Sequence, residues 1–377
     1  MPSEIRELFT VEAVLAAKGD LRRTAIKSVD LRSIDPEYWT RAQIELTFLL
    51  GCTVDEAVIA GLRRRGAVVI ERFPARPYEV FRCSLYTFQE LNEVRDQKTR
   101  DERIYEYFLS EGKFSPNVIE AITRRLHDDG IDDALGTLLH QWPREYRVGF
   151  MGGSSVKRTD PWYQRVAACA QLLARNKYLV ITGGGPGMME AANLGARLAA
   201  YSENDLSEAI NHIGGAPGPA DPCYVARALD IVARYPKATA TIGIPTWFYG
   251  HEPTNAFATD IAKYFENSIR EAGLIALSQG GVVFCPGSAG TRQEIFMDAA
   301  ENHYGTTGFV SPMVFFGRTT YAIDTHVYQL VSEVANARYK DMITLTDEAS
   351  DVLAFLKAHP PVPVTEPQPQ PKPPCPA

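Results

Sequence analysis

Val282-Val283-Phe284-Cys285-Pro286-Gly287-Ser288-Ala289-Gly290-Thr291-Arg292-Gln293-Glu294 runs from an apolar, strand-like stretch through a glycine-bearing turn into a helix start. Glycines at such a turn let backbone N–H groups converge on an anion, and the following helix adds the positive end of its dipole. The same grammar occurs twice upstream. Val148-Gly149-Phe150-Met151 leads into Gly152-Gly153-Ser154-Ser155, and Tyr178-Leu179-Val180-Ile181 leads into Thr182-Gly183-Gly184-Gly185-Pro186-Gly187-Met188-Met189-Glu190. Two further apolar runs, Ala240-Thr241-Ile242-Gly243-Ile244 and Met313-Val314-Phe315-Phe316, continue the series. Between them lie helical patterns, one marked by Trp162, Val166, Ala170 and Leu173, another by Phe257, Ile261, Phe265 and Ile269. Continuous apolar strands alternating with amphipathic helices indicate a parallel sheet covered on both faces. The expectation is an α/β fold: a doubly wound, Rossmann-like parallel sheet over residues 146–357, with its ligand site at the carboxyl edge of the strands.

Outward from that core the chain changes character. Residues 1–145 lack glycine-rich loops and read as a mainly helical accessory domain. Within it Ala67-Val68-Val69-Ile70 is strand-like, while Thr99–Trp142 is helix-periodic through Ile104, Tyr107, Phe108 and then Val118, Ile119, Ile122 and Leu126. Tyr201–Pro236 reads as an insertion or long loop, and no internal repeat is evident. From His359 onward nine of 19 residues are proline. Proline supplies no backbone donor, so residues 358–377 are expected to form a disordered, Pro-rich tail.

Composition excludes several classes. The 377 residues carry 46 acids against 39 bases, a net charge of −7, which argues against a nucleic-acid binder. The six cysteines form no CxxC pair and the seven histidines show no ligand spacing, so no metal site or cofactor is expected. The charged start lacks a signal peptide, and no run of 18 apolar residues occurs. A cytoplasmic protein without membrane association is expected.

Three glycine turns on one sheet point to a phosphorylated ligand. Gly183-x-Gly185-x-x-Met188 lacks the third glycine of the nicotinamide fingerprint, and no GxxxxGK[ST] occurs. Thr291-Arg292-Gln293-Glu294 also fits a T-x-x-E capping box, in which Glu294 merely holds a helix start. Arg270, on the helix before Val282, reads locally as a solvated arginine, and the loop carboxylate Glu252 is locally uninformative.

At these residues the sequence resembles the Lonely Guy family of nucleotide phosphoribohydrolases, over about residues 147–320. Gly152-Gly153-Ser154-Ser155 looks like the family's CGSS-like turn. Gly183-Gly184-Gly185-Pro186-Gly187-Met188-Met189 is similar to its GGGxxGLM, and Pro286–Glu294 to its signature PGGxGTxxE, with Ser288 in place of the second glycine. Arg270 stands nine residues before Gln279, as the family arginine does before its turn, and Glu252 follows Ile244-Pro245 by seven. Glu271 departs from the pattern, replacing a lysine, and Ala300-Glu301 replaces a Thr-Trp pair. The long N-terminal region is similar to the larger bacterial members.

The resemblance implies hydrolysis of the N-glycosidic bond of a nucleoside 5′-monophosphate to free base and ribose 5-phosphate. It assigns Glu294 and Arg270 catalytic roles. The backbone of Gly287, Ser288, Ala289, Gly290 and Thr291 would take the phosphate, with Ser154, Gly184, Gly185 and Glu252 lining the cleft. It also implies a homodimer or higher homo-oligomer. The alternative is a non-catalytic nucleotide or molybdenum-cofactor carrier of the same fold, which has no need of both Arg270 and Glu294.

Overall fold

The computed structural model describes residues 5–335 and 337–364, and the chain divides into two compact units. The first takes the chain as far as Leu138, together with Thr246–His251 and Ala262–Glu266. The second takes Leu139–Pro245, Glu252–Ile261 and the chain from Asn267 onward.

The first unit opens with β1 (Arg6–Leu8), α1 (Val11–Ala16), β2 (Thr24–Lys27), α2 (Pro36–Arg41), β3 (Thr47–Leu50), α3 (Glu56–Arg64) and β4 (Val68–Ile70). The four strands form a parallel sheet in chain order. Arg6 lies opposite Thr24, Thr24 opposite Thr47, and Phe48 opposite Val68, so one strand–helix coil recurs about every 20 residues. Strands this short leave too few periodic positions for the repeat to show in the sequence. Its helix starts are legible: Thr10 accepts from the Ala13 N–H, and Asp35 accepts from Glu37 with Pro36 in the first turn. Val14, Trp39 and Leu62 from the three helices share one buried cluster with Leu8, Ile26, Leu49 and Ala67. Helix dominates the unit by length, yet a parallel sheet organises it.

Next come α4 (Phe88–Leu91), a two-residue hairpin pair β5 (Val94–Arg95) and β6 (Lys98–Thr99), α5 (Arg100–Ser110) and α6 (Val118–Leu139). Both long helices form where the spacing predicts them, but the start of α6 is turned inside out. Val118, Ile119 and Ile122 are exposed, while Glu120, Thr123, Arg124, His127 and Asp128 are buried. The polar face is buried because it is satisfied. Glu120 accepts from Arg124 Nε at 2.7 Å, Arg76 Nε at 3.1 Å, and the hydroxyls of Tyr78 and Tyr107, each at 3.0 Å. A buried carboxylate with four donors avoids the desolvation cost that an orphaned one would carry.

The second unit contains β7 (Arg147–Met151), α7 (Pro161–Arg175), β8 (Leu179–Thr182), α8 (Met188–Arg197), α9 (Glu203–Gly214), α10 (Tyr224–Arg234), β9 (Thr241–Gly243), β10 (Asp260–Ile261), α11 (Asn267–Leu277), β11 (Gly281–Phe284) and α12 (Ala289–Tyr304). It continues through β12 (Phe309–Val310), β13 (Met313–Phe316), α13 (Val327–Val334), β14 (Ile343–Thr346), α14 (Ala349–Ala358) and β15 (Val362–Pro363). Seven strands make one parallel sheet in the order β10-β9-β8-β7-β11-β13-β14. This is the doubly wound, Rossmann-like architecture expected from the alternating runs. Val148, Val180, Val282 and Val314 have no exposed surface, as strands covered on both faces require. No described helix is long and apolar enough to cross a membrane.

Three expectations need correction. The four-residue spacing of Phe257, Ile261, Phe265 and Ile269 is not a helix, since α11 begins only at Asn267. The segment before it satisfies its backbone elsewhere: the Phe257 N–H donates to Asn255 Oδ1 and the Thr259 N–H to the Thr241 carbonyl. Strand β10 then pairs Asp260 with Ile242. The Tyr201–Pro236 insertion is the helical pair α9 and α10 rather than a loop. Buried Arg158 anchors it, donating to the Ala216 and Tyr224 carbonyls while pairing with Glu190. The expected tail is ordered further than its composition suggests, because α14 reaches Ala358 and Val362 and Pro363 pair antiparallel with Val310 and Phe309. Proline is tolerated there at an edge position. Residues 365–377 of the expected tail lie outside the described residues.

Candidate functional site

Strand order decides where a ligand can sit. From β7 the chain winds one way to β8 and β9, whereas β11 lies on the opposite flank of β7. The crevice beyond β7 and β11 is therefore the topological switch point, where open α/β sheets bind ligands. The turns after these strands are joined there: the Gly153 N–H donates to the Pro286 carbonyl at 3.0 Å, and the Met188 N–H to the Gly153 carbonyl at 3.1 Å. All three glycine turns thus meet at one edge.

The β8 turn needs its glycines for shape. Gly184 and Gly187 have φ of +71° and +70°, and a Cβ on Gly184 would stand 2.7 Å from Pro245 Cδ. Beneath the turn lies a buried amide and hydroxyl floor. Thr182 Oγ1 donates to Asn193 Oδ1 at 2.7 Å and accepts from the Gly184 N–H at 3.0 Å. Asn193 Nδ2 donates to Thr241 Oγ1 at 2.7 Å, and Asn255 Nδ2 donates to Asn193 Oδ1 at 2.8 Å. Four satisfied polar side chains behind a ligand turn hold its backbone in one conformation.

The β11 turn opens α12. Ser288 precedes the first helical residue with φ −103°, so the family glycine's absence costs nothing in backbone geometry. Ser288, Ala289 and Gly290 are exposed, leaving the N-terminal N–H groups of a 16-residue helix accessible to an anion. Thr291 is buried, and its side chain occupies the space a Cβ on Gly287 would need. Ser154 is exposed, and its carbonyl oxygen is 2.8 Å from the place of a Cβ on Gly187.

This geometry removes the capping-box reading of Glu294. Helix α12 begins at Ala289, so Glu294 is its sixth residue, beyond any cap. Its carboxylate is partly buried and meets no hydrogen-bond donor among the described residues. Burial pushes its pKa from the ordinary 4.5 up to about 7; the Arg270 charge opposes that shift and the Glu271 charge adds to it. Glu294 is therefore divided between acid and base near neutrality, as a proton-handling group requires.

Arg270 is buried rather than solvated. Its Nε and Nη2 donate to Asn267 Oδ1 at 3.2 and 3.0 Å, and Nη2 also reaches Glu271 Oε1 at 3.3 Å. Nη1 makes no hydrogen bond among the described residues and points at the β8 turn, 3.3 Å from the place of a Cβ on Gly183. Glu252 Oε2 stands 2.8 Å from the place of a Cβ on Gly185. The sequence-predicted residues thus gather around one turn cluster. Sequence reasoning missed Asn267, Gln293, Asn193 and Asn255. Asn267 sits three residues before Arg270, on the same helix face, a usable signal; the buried asparagines gave none.

The SLOG cluster4 family model matches residues 145–200 of the chain. No curated protein matches. Among solved structures, the molybdenum cofactor binding protein of Rippkaea orientalis is similar at 14% identity and a TM-score of 0.35, over 56% of this chain and 95% of that one. The molybdenum cofactor carrier protein of Chlamydomonas reinhardtii is similar at 15% identity and a TM-score of 0.36, over 56% and 96%.

Proposed function

We propose that this chain hydrolyses the N-glycosidic bond of a nucleoside 5′-monophosphate, releasing free base and ribose 5-phosphate. The observation that carries the reading is Glu294, a carboxylate with a pKa near 7, facing the buried arginine Arg270 at the switch-point crevice. In this reading the N–H groups of Ser288, Ala289, Gly290 and Thr291 cradle the 5′-phosphate, with the Gly184–Gly185 backbone alongside. Arg270 Nη1 donates to the substrate, and Glu252 meets a hydroxyl. As the bond from C1′ to the base nitrogen breaks, its electron pair leaves with the base, which takes a proton from protein or solvent. Ionised Glu294 stabilises the positive charge growing on the sugar ring and accepts a proton from the attacking water. We also propose that the protein acts as a homo-oligomer.

The test is incubation of the purified protein with AMP, GMP, CMP and UMP, with free base followed by chromatography beside Glu294→Ala and Arg270→Ala. Release of base by the wild type, lost in both variants, is expected. Nucleotide or molybdenum-cofactor binding without turnover would instead leave the carrier reading.

A further inference from the structure

Glu271 stands where the resembled family has lysine, which reverses a charge beside the two residues that carry the proposed chemistry. It is nonetheless buried, at 8% exposure, and held from two sides. Gln293, the neighbour of Glu294 on α12, donates from Nε2 to Glu271 Oε2 at 2.9 Å. Arg270 donates from Nη2 to Oε1 at 3.3 Å. With Asn267 Oδ1 taking Nε and Nη2, the donors on that edge of the guanidinium are occupied, and Nη1 is left toward the β8 turn.

We infer that Glu271 is a positioning residue: gripped by Gln293, its carboxylate holds one edge of the Arg270 guanidinium, presents the other edge to the ligand turn, and sets the charge around Glu294. The inference rests on the hydrolase reading for its catalytic consequence, though not for its geometry.

The direction of the electrostatic effect follows from the surrounding groups. Glu294 is faced by Arg270 and Glu271 from α11 and by Tyr321 from the turn after β13. Tyr321 is spent on the Cys285 carbonyl, to which its hydroxyl donates at 2.6 Å, and stays neutral because burial raises its pKa. Glu271 is therefore the anion that favours protonation of Glu294. Removing its charge acts toward easier ionisation of Glu294.

The experiment is a carboxyl-carbon NMR titration of the full chain labelled at glutamate, with the Glu294 resonance assigned from its loss in Glu294→Gln. In Glu271→Gln the Glu294 midpoint is expected to fall by about half a pH unit or more, and the acid limb of base release to fall with it. Gln293→Met keeps the Glu271 charge while loosening its anchor, so the midpoint there should fall by clearly less than in Glu271→Gln. An unchanged midpoint in Glu271→Gln overturns the inference, as does an equal fall in Gln293→Met, which would trace the effect to loosened packing. Should Glu271→Gln not fold, Glu271→Asp withdraws the carboxylate by one methylene and reads the same shift at smaller size. The titration needs no turnover: an absent base release with a shifted midpoint would sink the hydrolase reading and leave Glu271's role standing.

Discussion

Replacing Glu294 by glutamine is expected to stabilise the protein above neutral pH and to do so far less near pH 5. In the folded state this carboxyl titrates at about 7, against 4.5 ordinarily. Its folded pKa is raised, so between these values the native state binds more protons than the unfolded state, and stability falls as pH rises. A shift of this size corresponds to about 3 kcal/mol once pH exceeds both values, since one unit is about 1.4 kcal/mol. Near pH 5 less than about 1 kcal/mol of that loss has developed. Glutamine keeps the shape and cannot ionise, so it escapes the penalty. Urea denaturation of both proteins at pH 5 and pH 8 should show the advantage of the variant growing by about 2–3 kcal/mol. Subtracting wild type from variant removes the contributions of Asp298 and Glu301, whose pKa values burial also raises. A difference that stays constant between the two pH values, or a variant no more stable at pH 8, would refute the reasoning. It would mean that Glu294 is not forced to ionise in a desolvated place, and the proton-handling role would lose its basis.

The remaining predictions concern rate, backbone and packing. If ionised Glu294 does the chemistry, kcat/KM for base release should rise about tenfold between pH 6 and pH 8, and a flat profile would exclude it. Gly184→Ala forces a side chain to positive φ against Pro245, so a loss of about 2–4 kcal/mol in urea denaturation is expected, with phosphate-ligand affinity lost alongside. Ser288→Gly should change nucleotide affinity in calorimetry by no more than about threefold, because the serine already sits at φ −103°. Arg158→Met orphans buried Glu190 and releases two carbonyls of the α9–α10 pair, costing about 3–5 kcal/mol in thermal or urea denaturation.

The large sheet and the turn cluster were legible because both are written in short-range chemistry. Strands buried on both faces must be apolar throughout, as Val282–Cys285 and Leu179–Ile181 are. Backbone that must turn at positive φ asks for glycine, as at Gly184 and Gly187. Arg270, Glu252 and Glu294 were singled out by the resemblance to the Lonely Guy family, and the glycine turns could be read from the residues themselves. What Glu294 and Arg270 are could not. A T-x-x-E run is a cap or a buried carboxylate according to where the helix begins, and the tertiary structure starts α12 at Ala289. Arg270 became a buried group only through α11 packing beside α12, and Glu271 acquired its partner from Gln293, 22 residues away. Nor was strand order available, so the switch point between β7 and β11 emerged only from pairing across the sheet. In the first unit the failure was instructive in another way. Val118, Ile119 and Ile122 mark an apolar stripe, but four donors converging on Glu120 make the polar face the buried one. A sequence records which side chains are costly to desolvate; only the fold supplies the partners that cancel that cost.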